Sequence, residues 1–398
     1  MHARFASVLA LAAISLAGCA PATTPVTIAS ASGGTTTLLT RLGVDTLALE
    51  QYTRTATRMD GTIISRTPSS SIARYTVTLG ASGEPQTAEM TVRRGDGSIP
   101  QNGMQSVAVQ WTADSMRFTG RRPAGDTVRA IAASGMRIPY VGNSYGLFEL
   151  AMARLVSSGR DSIDFALAPL GFGTRATIAL PMRRLGGDSI RYGWFGNPFY
   201  ARHDGRGGVL WLDGRQTAIK VRVDRVATVD LDAIVKGWSA REASGMVAGA
   251  PSTRDTTRAT IGAAQLWVDY GRPLLRGRDV WVNGVLGDTL WRTGANAATQ
   301  LRTNVDLLIG GQSVPAGTYS LWTWAGRNGY HLVVNRQAGQ WGTEYHPDRD
   351  LVRVPLQETN VSGSVERFTI TVEPQGASTG QLVMAWGGKR LSVPITTR

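Results

Sequence analysis

Apolar and polar residues alternate in short runs through most of the chain. Arg74 to Leu79 alternates, Gly80 to Gly83 turns, and Gln86 to Val92 alternates again, which predicts a β-hairpin. The stretches Ser162 to Ala168, Ala176 to Met182, Ser189 to Phe195, Gly208 to Leu212 and Thr217 to Val223 are further strand-length runs bounded by Gly, Asp or Pro. A helical period shows in two places. Ser144 to Val156 puts Leu147, Leu150, Ala151 and Leu155 on one face, and Leu231 to Ala243 carries Ile234, Val235 and Trp238. The pattern predicts a mainly β protein whose N-terminal part is an antiparallel curved sheet with one or two helices. Curved sheets of this kind can hold an apolar ligand; the parallel is architectural.

The pattern shifts near residue 240. Ala240 to Arg258 is rich in Ala, Gly, Ser and Thr with little periodicity and reads as a linker, with bounds at 241–258. It separates a β-rich domain at 35–240 from a second domain at 259–398. In the second, Val305 to Ile309, Gly310-Gly311 and Gln312 to Val314 predict a tight hairpin, because paired glycines accept the positive φ of primed turns. Tyr319, Leu321 and Thr323 then share one face and Trp322 and Trp324 the other. Tyr330 to Asn335, Arg367 to Val372, Gln381 to Trp386 and Arg390 to Ile395 add strands, and the whole reads as β-sandwich-like.

The first 34 residues follow neither period. His2 and Arg4 precede an apolar run, Val8 to Leu16, that is too short to span a bilayer. The run ends in Leu16-Ala17-Gly18-Cys19, which resembles a bacterial lipobox, and Cys19 is the only cysteine in 398 residues. This predicts a signal peptide at 1–18 and lipidation at Cys19. Several acyl chains there make anchoring stable where a single chain is marginal. Residues 19–34 read as a flexible tether. The absence of Asp after Cys19 resembles the sorting pattern of outer-membrane lipoproteins, with the folded part on the periplasmic face. No other apolar run reaches about 18 residues, the length a transmembrane helix needs.

Composition narrows the chemistry. Hydrophobic residues make up 42% and charged residues 18%, as in folded globular chains. One cysteine excludes an internal disulfide framework and Cys-rich metal sites. The net charge of +13 is spread thinly and is almost all Arg, the lysines being Lys220, Lys236 and Lys389. Pairs such as Arg93-Arg94 and Arg183-Arg184 do not make the clustered footprint of a nucleic-acid binder. A diffuse basic face suits anionic lipid headgroups or envelope sugars. The partners expected are therefore the membrane, through the N-terminal lipid, and a lipid, glycan or envelope protein. No nucleic acid and no cofactor is expected.

Two segments carry possible catalytic chemistry. Gly142-Asn143-Ser144-Tyr145-Gly146 matches the G-x-S-x-G elbow and precedes a helical segment. His203 with Asp224 or Asp230 is the available base and carboxylate. The elbow belongs to parallel sheets with crossover helices, however, and the strands here are expected to follow one another without them. The preferred reading is that Asn143 or Ser144 caps the helix. Glu344-Tyr345-His346-Pro347-Asp348-Arg349-Asp350 would place Glu344, His346, Asp348 and Asp350 on one side of an extended segment, as a metal site could use; Pro347 interrupts that geometry.

The second domain resembles the bacterial domain-of-unknown-function family 2911. The likeness lies in Asp269-Tyr-Gly-Arg-Pro273, Arg276-Gly-Arg278, Trp291-Arg-Thr-Gly-Ala-Asn296 with Thr299, Pro315-Ala-Gly-Thr-Tyr-Ser-Leu321 and Gln340-Trp-Gly342, with Tyr345, Asp350 and Arg353 following. His346 and Trp281 depart from the family pattern. The resemblance implies a domain and no activity. It singles out Tyr270, Arg272, Arg292, Asn296, Tyr345 and Asp350 as a polar set, read either as a network that holds loops or as a binding site. Among the second domain's tryptophans, Trp281 and Trp341 have loop-like contexts and are the exposed candidates. The leading expectation is a non-enzymatic envelope lipoprotein. The alternatives are an envelope hydrolase using Ser144 or a metal near His346, and a structural scaffold joined through strand edges.

Overall fold

Eight strands leave Thr36 in an unbroken antiparallel meander. They are β1 (Thr36–Leu42), β2 (Asp45–Arg54), β3 (Arg58–Ser65), β4 (Ser71–Leu79), β5 (Pro85–Arg94), β6 (Ser106–Trp111), β7 (Ser115–Arg122) and β8 (Gly125–Ala132). The structure is a computed structural model and describes residues 34–132, 135–170, 177–194, 197–217, 220–245, 252–281, 289–326 and 329–397. Cys19, the signal segment and nearly all of the tether lie outside the described residues.

The chain then forms β9 (Arg137–Tyr140), helix α1 (Phe148–Ser158), β10 (Ser162–Pro169), β11 (Ile178–Gly186), β12 (Ser189–Trp194), β13 (Asn197–His203), β14 (Val209–Asp213) and β15 (Val221–Val226). β10 to β15 form a second meander, and β15 returns to pair antiparallel with β1, from Thr37 opposite Val226 to Leu42 opposite Val221. One fifteen-stranded sheet results, with β8 and β9 at its ends. β9 and β10 are parallel, joined across α1. The expectation of strands without a crossover helix is therefore corrected at this one unit.

The sheet curls round α1. Phe148, Leu150, Ala151, Met152 and Leu155 are buried in one cluster with residues from both meanders, such as Met59, Val77, Val109, Leu180 and Leu212. Aromatic rings continue the contact. Phe148 meets Tyr192 edge-on at 5.5 Å, and Tyr192 lies on Phe199 at 5.2 Å. A second helix, α2 (Leu231–Ala243), covers the outer face, with Leu231, Val235 and Trp238 on Leu49, Ile64 and Ile72. It occupies the predicted span. Asp230 caps it by accepting from the Ala233 N–H at 2.9 Å. β2 and β3 thus lie between two helices and are buried on both faces.

Gly207 shows how tightly α1 is held. It has φ +91°, and a Cβ there would lie 2.4 Å from the Ala153 backbone nitrogen in α1. Gly207→Ala combines strain with a clash against backbone, and about 1–3 kcal/mol of stability should be lost. A urea midpoint equal to that of the parent would show that the loop simply steps aside.

The second domain begins earlier than the sequence suggests. α2 runs to Ala243 and β16 (Ser252–Ile261) starts inside the predicted linker. Its other strands are β17 (Ala264–Pro273), β18 (Thr289–Trp291), β19 (Thr299–Thr303), β20 (Leu307–Ile309), β21 (Gln312–Val314), β22 (Gly317–Gly326), β23 (Gly329–Asn335), β24 (Asp350–Pro355), β25 (Gln357–Pro374) and β26 (Thr379–Thr397). One sheet runs β16-β17-β19-β22-β23-β24 with β18 also on β22; the other runs β21-β20-β26-β25. They enclose a common core that includes Leu266, Val268, Leu301, Leu321, Phe368, Met384 and Val393. The two predicted closing strands after Gln381 are one strand, β26, which continues through Gly387 and Gly388. The β1–β2 turn touches this domain: Val44 N–H donates to the Arg276 carbonyl at 3.1 Å, and Arg276 pairs with Asp45.

Candidate functional site

The G-x-S-x-G segment sits where β9 hands over to α1, which is the strand–turn–helix context an elbow requires. Its details are different. The positive-φ residue is Asn143, at +63°, and Ser144 is only 1% exposed. Ser144 Oγ donates to Glu50 Oε1 at 2.6 Å. The same oxygen accepts from Tyr75 OH at 2.7 Å. Glu50 Oε2 accepts the backbone N–H groups of Tyr145 and Gly146 at 2.7 and 2.8 Å. The capping reading of Asn143 or Ser144 is also corrected: α1 is preceded by Leu147 with no side-chain cap. A carboxylate from β2 serves the donors of the turn instead. Gly146 is needed for this approach, since a Cβ there would lie 2.6 Å from the Tyr52 ring.

A second carboxylate lies in the first turn of α1. Glu149 Oε1 accepts from Tyr52 OH and from Val209 N–H, the latter at 2.6 Å, and stands 3.3 Å from Arg225 Nη2. Arg54 Nη1 donates to the Glu149 carbonyl at 3.2 Å. Glu50, Glu149 and Arg225 are all buried. Burial is the main influence on both carboxyls and pushes their pKa values up, against the pull of their hydrogen bonds. The tyrosines Tyr52 and Tyr75 are driven well above the ordinary phenol range, first by burial and then by these carboxylates. Arg225 reaches toward Asp204 at 4.0 Å, and its Nε and Nη1 are buried without a hydrogen-bond partner among the described residues.

The proposed base and carboxylates do not join this cluster. His203 is buried, its Nδ1 accepts from Gly205 N–H at 3.0 Å, and burial lowers its pKa. Asp224 accepts from Arg222 at 2.8 Å, and Asp230 caps α2. Ser144 therefore has an acidic partner that keeps its proton donated, and no imidazole takes it.

The family-matching residues are dispersed. Tyr270 lies in the sandwich core, its hydroxyl donating to the Ile370 carbonyl at 3.2 Å. Arg272 ties the sheets together through the Phe368 carbonyl, Thr369 Oγ1 and Asp255. Arg292 donates to the Asn296 carbonyl at 3.1 Å, and burial lowers its pKa. Asn296 has φ +65°, and its carbonyl also accepts from Gly342 N–H. Tyr345 OH donates to Asp350 Oδ2 at 2.6 Å, and Asp350 Oδ1 accepts from Asn335. Burial pushes the Tyr345 phenol up, and Asp350 adds to it. Tyr345→Phe removes this tie and should cost about 1 kcal/mol. Faster proteolysis of the 336–350 loop in that variant is the expected sign, and unchanged cleavage would count against a holding role.

Pro347–Arg349 is a short 3₁₀ turn, so Glu344, His346 and Asp348 do not alternate along one extended side. Among the described residues, no three His, Cys, Asp or Glu side chains converge to hold a metal. Trp341 is 47% exposed, whereas Trp281 is half-buried and donates to the Trp386 carbonyl at 2.8 Å. Trp291, Trp322 and Trp386 are core residues. Trp267, which was not among the exposed candidates, is half-buried on the outer face of β17. Its alternation with the buried Leu266 and Val268 was the available signal.

Fold and sites together define a two-domain, mainly β protein with a closed polar cluster in the first domain and a sandwich as the second. Residues 252–395 match the family model described as Protein of unknown function (DUF2911), so the second domain carries that family's pattern. No curated protein matches the chain. A crystal structure of a DUF1089 family protein from Pseudomonas aeruginosa is similar over 42% of this chain and 89% of its own, at 12% identity and a TM-score of 0.33. Among the described residues, no helix is long and apolar enough to cross a membrane.

Proposed function

We propose that the chain is an outer-membrane lipoprotein, anchored through Cys19 on the periplasmic side, that binds a lipid, glycan or other envelope component without turning it over. The observation that carries the non-enzymatic part is the closed state of Ser144, 1% exposed and committed to Glu50. A nucleophile needs a base to take its proton and an approach for substrate. Ser144 has no approach for substrate, and the Glu50 carboxyl that accepts its hydrogen bond is itself buried and held by three further donors, so the hydroxyl serves to hold the turn before α1. The anchoring part rests on the position of Cys19 at the end of the apolar run.

The test is purification of the mature protein from its native membrane, with mass spectrometry of co-purifying lipids and sugars. A bound envelope component, and loss of membrane association in Cys19→Ala, are the expected results. Hydrolytic turnover that disappears in Ser144→Ala would overturn the reading. A protein recovered empty would favour a scaffold.

A further inference from the structure

The outer face of the second domain carries two guanidinium groups without a partner among the described residues. Arg258 on β16 is paired in register with Trp267 on β17, and Trp267 is paired in register with Arg302 on β19. Directly paired residues share a sheet face with Cβ atoms about 5 Å apart. The three side chains therefore form one line across the sheet, Arg–Trp–Arg. The opposite face at this point is core, with Leu266, Val268 and Leu301 buried.

A groove of ≈ 640 Å³ lies over this line, edged also by Thr260, Gln265 and Asn304. Among the described residues, no acidic side chain lines it. Other arginines of the domain are engaged: Arg254 pairs with Asp269, Arg272 with Asp255 and Arg390 with Glu373, while Arg367 donates to Thr253 Oγ1 and Arg353 lies over the Trp324 ring. Both groove arginines are exposed, and neither makes an ion pair or hydrogen bond among the described residues. Trp267 is half-buried, so part of its side chain meets solvent.

We propose that this groove binds a saccharide bearing carboxylate or phosphate groups. An indole offers a flat apolar surface for the face of a sugar ring. A guanidinium on each side offers a planar fork matched to carboxylate or phosphate oxygens. Thr260 and Gln265 stand beside them on the same face, where they meet ring hydroxyls. The spacing places an anionic group on either side of a ring that sits on Trp267. The assignment deepens the reading of the chain as an envelope-binding protein and rests on it.

The experiment is isothermal titration calorimetry of the full folded chain against tetragalacturonate, glucose 6-phosphate, neutral maltotetraose and inorganic phosphate. At least one of the two anionic sugars should bind at least tenfold more tightly than both maltotetraose and phosphate, and more weakly as salt rises. Trp267→Ala and the double variant Arg258→Gln/Arg302→Gln should each weaken that binding at least tenfold. The arginine variant alters only exposed, unpaired side chains and keeps the test valid if the tryptophan variant misfolds. Absence of binding by both anionic sugars, equal binding of phosphate alone, or unchanged affinity in the arginine variant would each overturn the site. The broader reading fails separately. It survives if the native lipoprotein and its arginine variant co-purify with the same envelope component, because the ligand then binds elsewhere.

Discussion

Glu50→Ala should destabilise the first domain by about 3–5 kcal/mol, the cost of breaking a fully buried charged network. The carboxylate has four donors around it: Ser144 Oγ, Tyr75 OH and the N–H groups of Tyr145 and Gly146. Alanine leaves all four facing a core, and each buried unsatisfied donor costs about 1–3 kcal/mol before relaxation. It also frees the turn that aims α1 into the curved sheet, and α1 contributes Phe148, Leu150, Met152 and Leu155 to the main core. Glu50→Gln should cost less, because a carbonyl oxygen remains for the two backbone donors and the hydroxyls can rotate to accept. A double-mutant cycle isolates the cause. Tyr75→Phe alone loses a hydrogen bond, at about 1 kcal/mol; on the Glu50→Ala background it removes an orphaned hydroxyl and should be neutral or stabilising. Urea midpoints for the four proteins decide it. Additive losses would mean that Tyr75 and Glu50 act independently.

The same cluster explains what the sequence could and could not convey. The mainly β class, α2 and the β4–β5 hairpin were legible because one face of each meets solvent and the period survives. β2 was not, because Ala48, Leu49 and Glu50 are consecutively buried between α1 and α2, which erases alternation. The β9–α1–β10 crossover was hidden for a related reason. Nothing local tells a parallel partner from an antiparallel one when the helix between them lies inside the sheet. Ser144 was visible as a motif, but its meaning depends on Glu50, ninety-four residues away. Tyr52, Tyr75, Glu149 and Arg225 had no local signal at all, since only the closure of β15 onto β1 brings Arg225 near Glu149. In the second domain the hairpin at Gly310-Gly311 could be read from turn chemistry. The dispersal of the family-matching residues could not, because a shared pattern does not distinguish a contact that ties two sheets from one that meets a ligand.

Arg225→Met should make the protein less stable at neutral pH and restore much of the loss on acidification. Glu149 and Glu50 both hold their protons more tightly in the folded chain than the ordinary carboxylate value of about 4.3, because burial dominates their surroundings. A carboxyl with a raised folded pKa binds more protons folded than unfolded. The stability it contributes is fully present below the ordinary value and is lost as pH rises through the folded one. The parent protein should therefore lose some stability on going from mildly acidic to neutral pH. Arg225 opposes that loss, since its charge beside Glu149 favours the ionised form. Methionine keeps much of the side chain's volume and removes the charge, so the folded pKa of Glu149 rises further and the window of loss extends upward. At neutral pH the cost should approach the roughly 3–5 kcal/mol of a broken buried pair; at pH near 4 it should shrink toward the packing difference alone. Glu149→Gln in the Arg225→Met protein removes one of the two titrating groups. That double variant should reduce the slope to the part Glu50 contributes and recover stability at neutral pH, because neither the Glu149 anion nor its buried partner is left. Urea midpoints measured from pH 4 to pH 8 give the three profiles. Parallel curves for the parent and Arg225→Met would mean that Arg225 does not hold the charge state of Glu149.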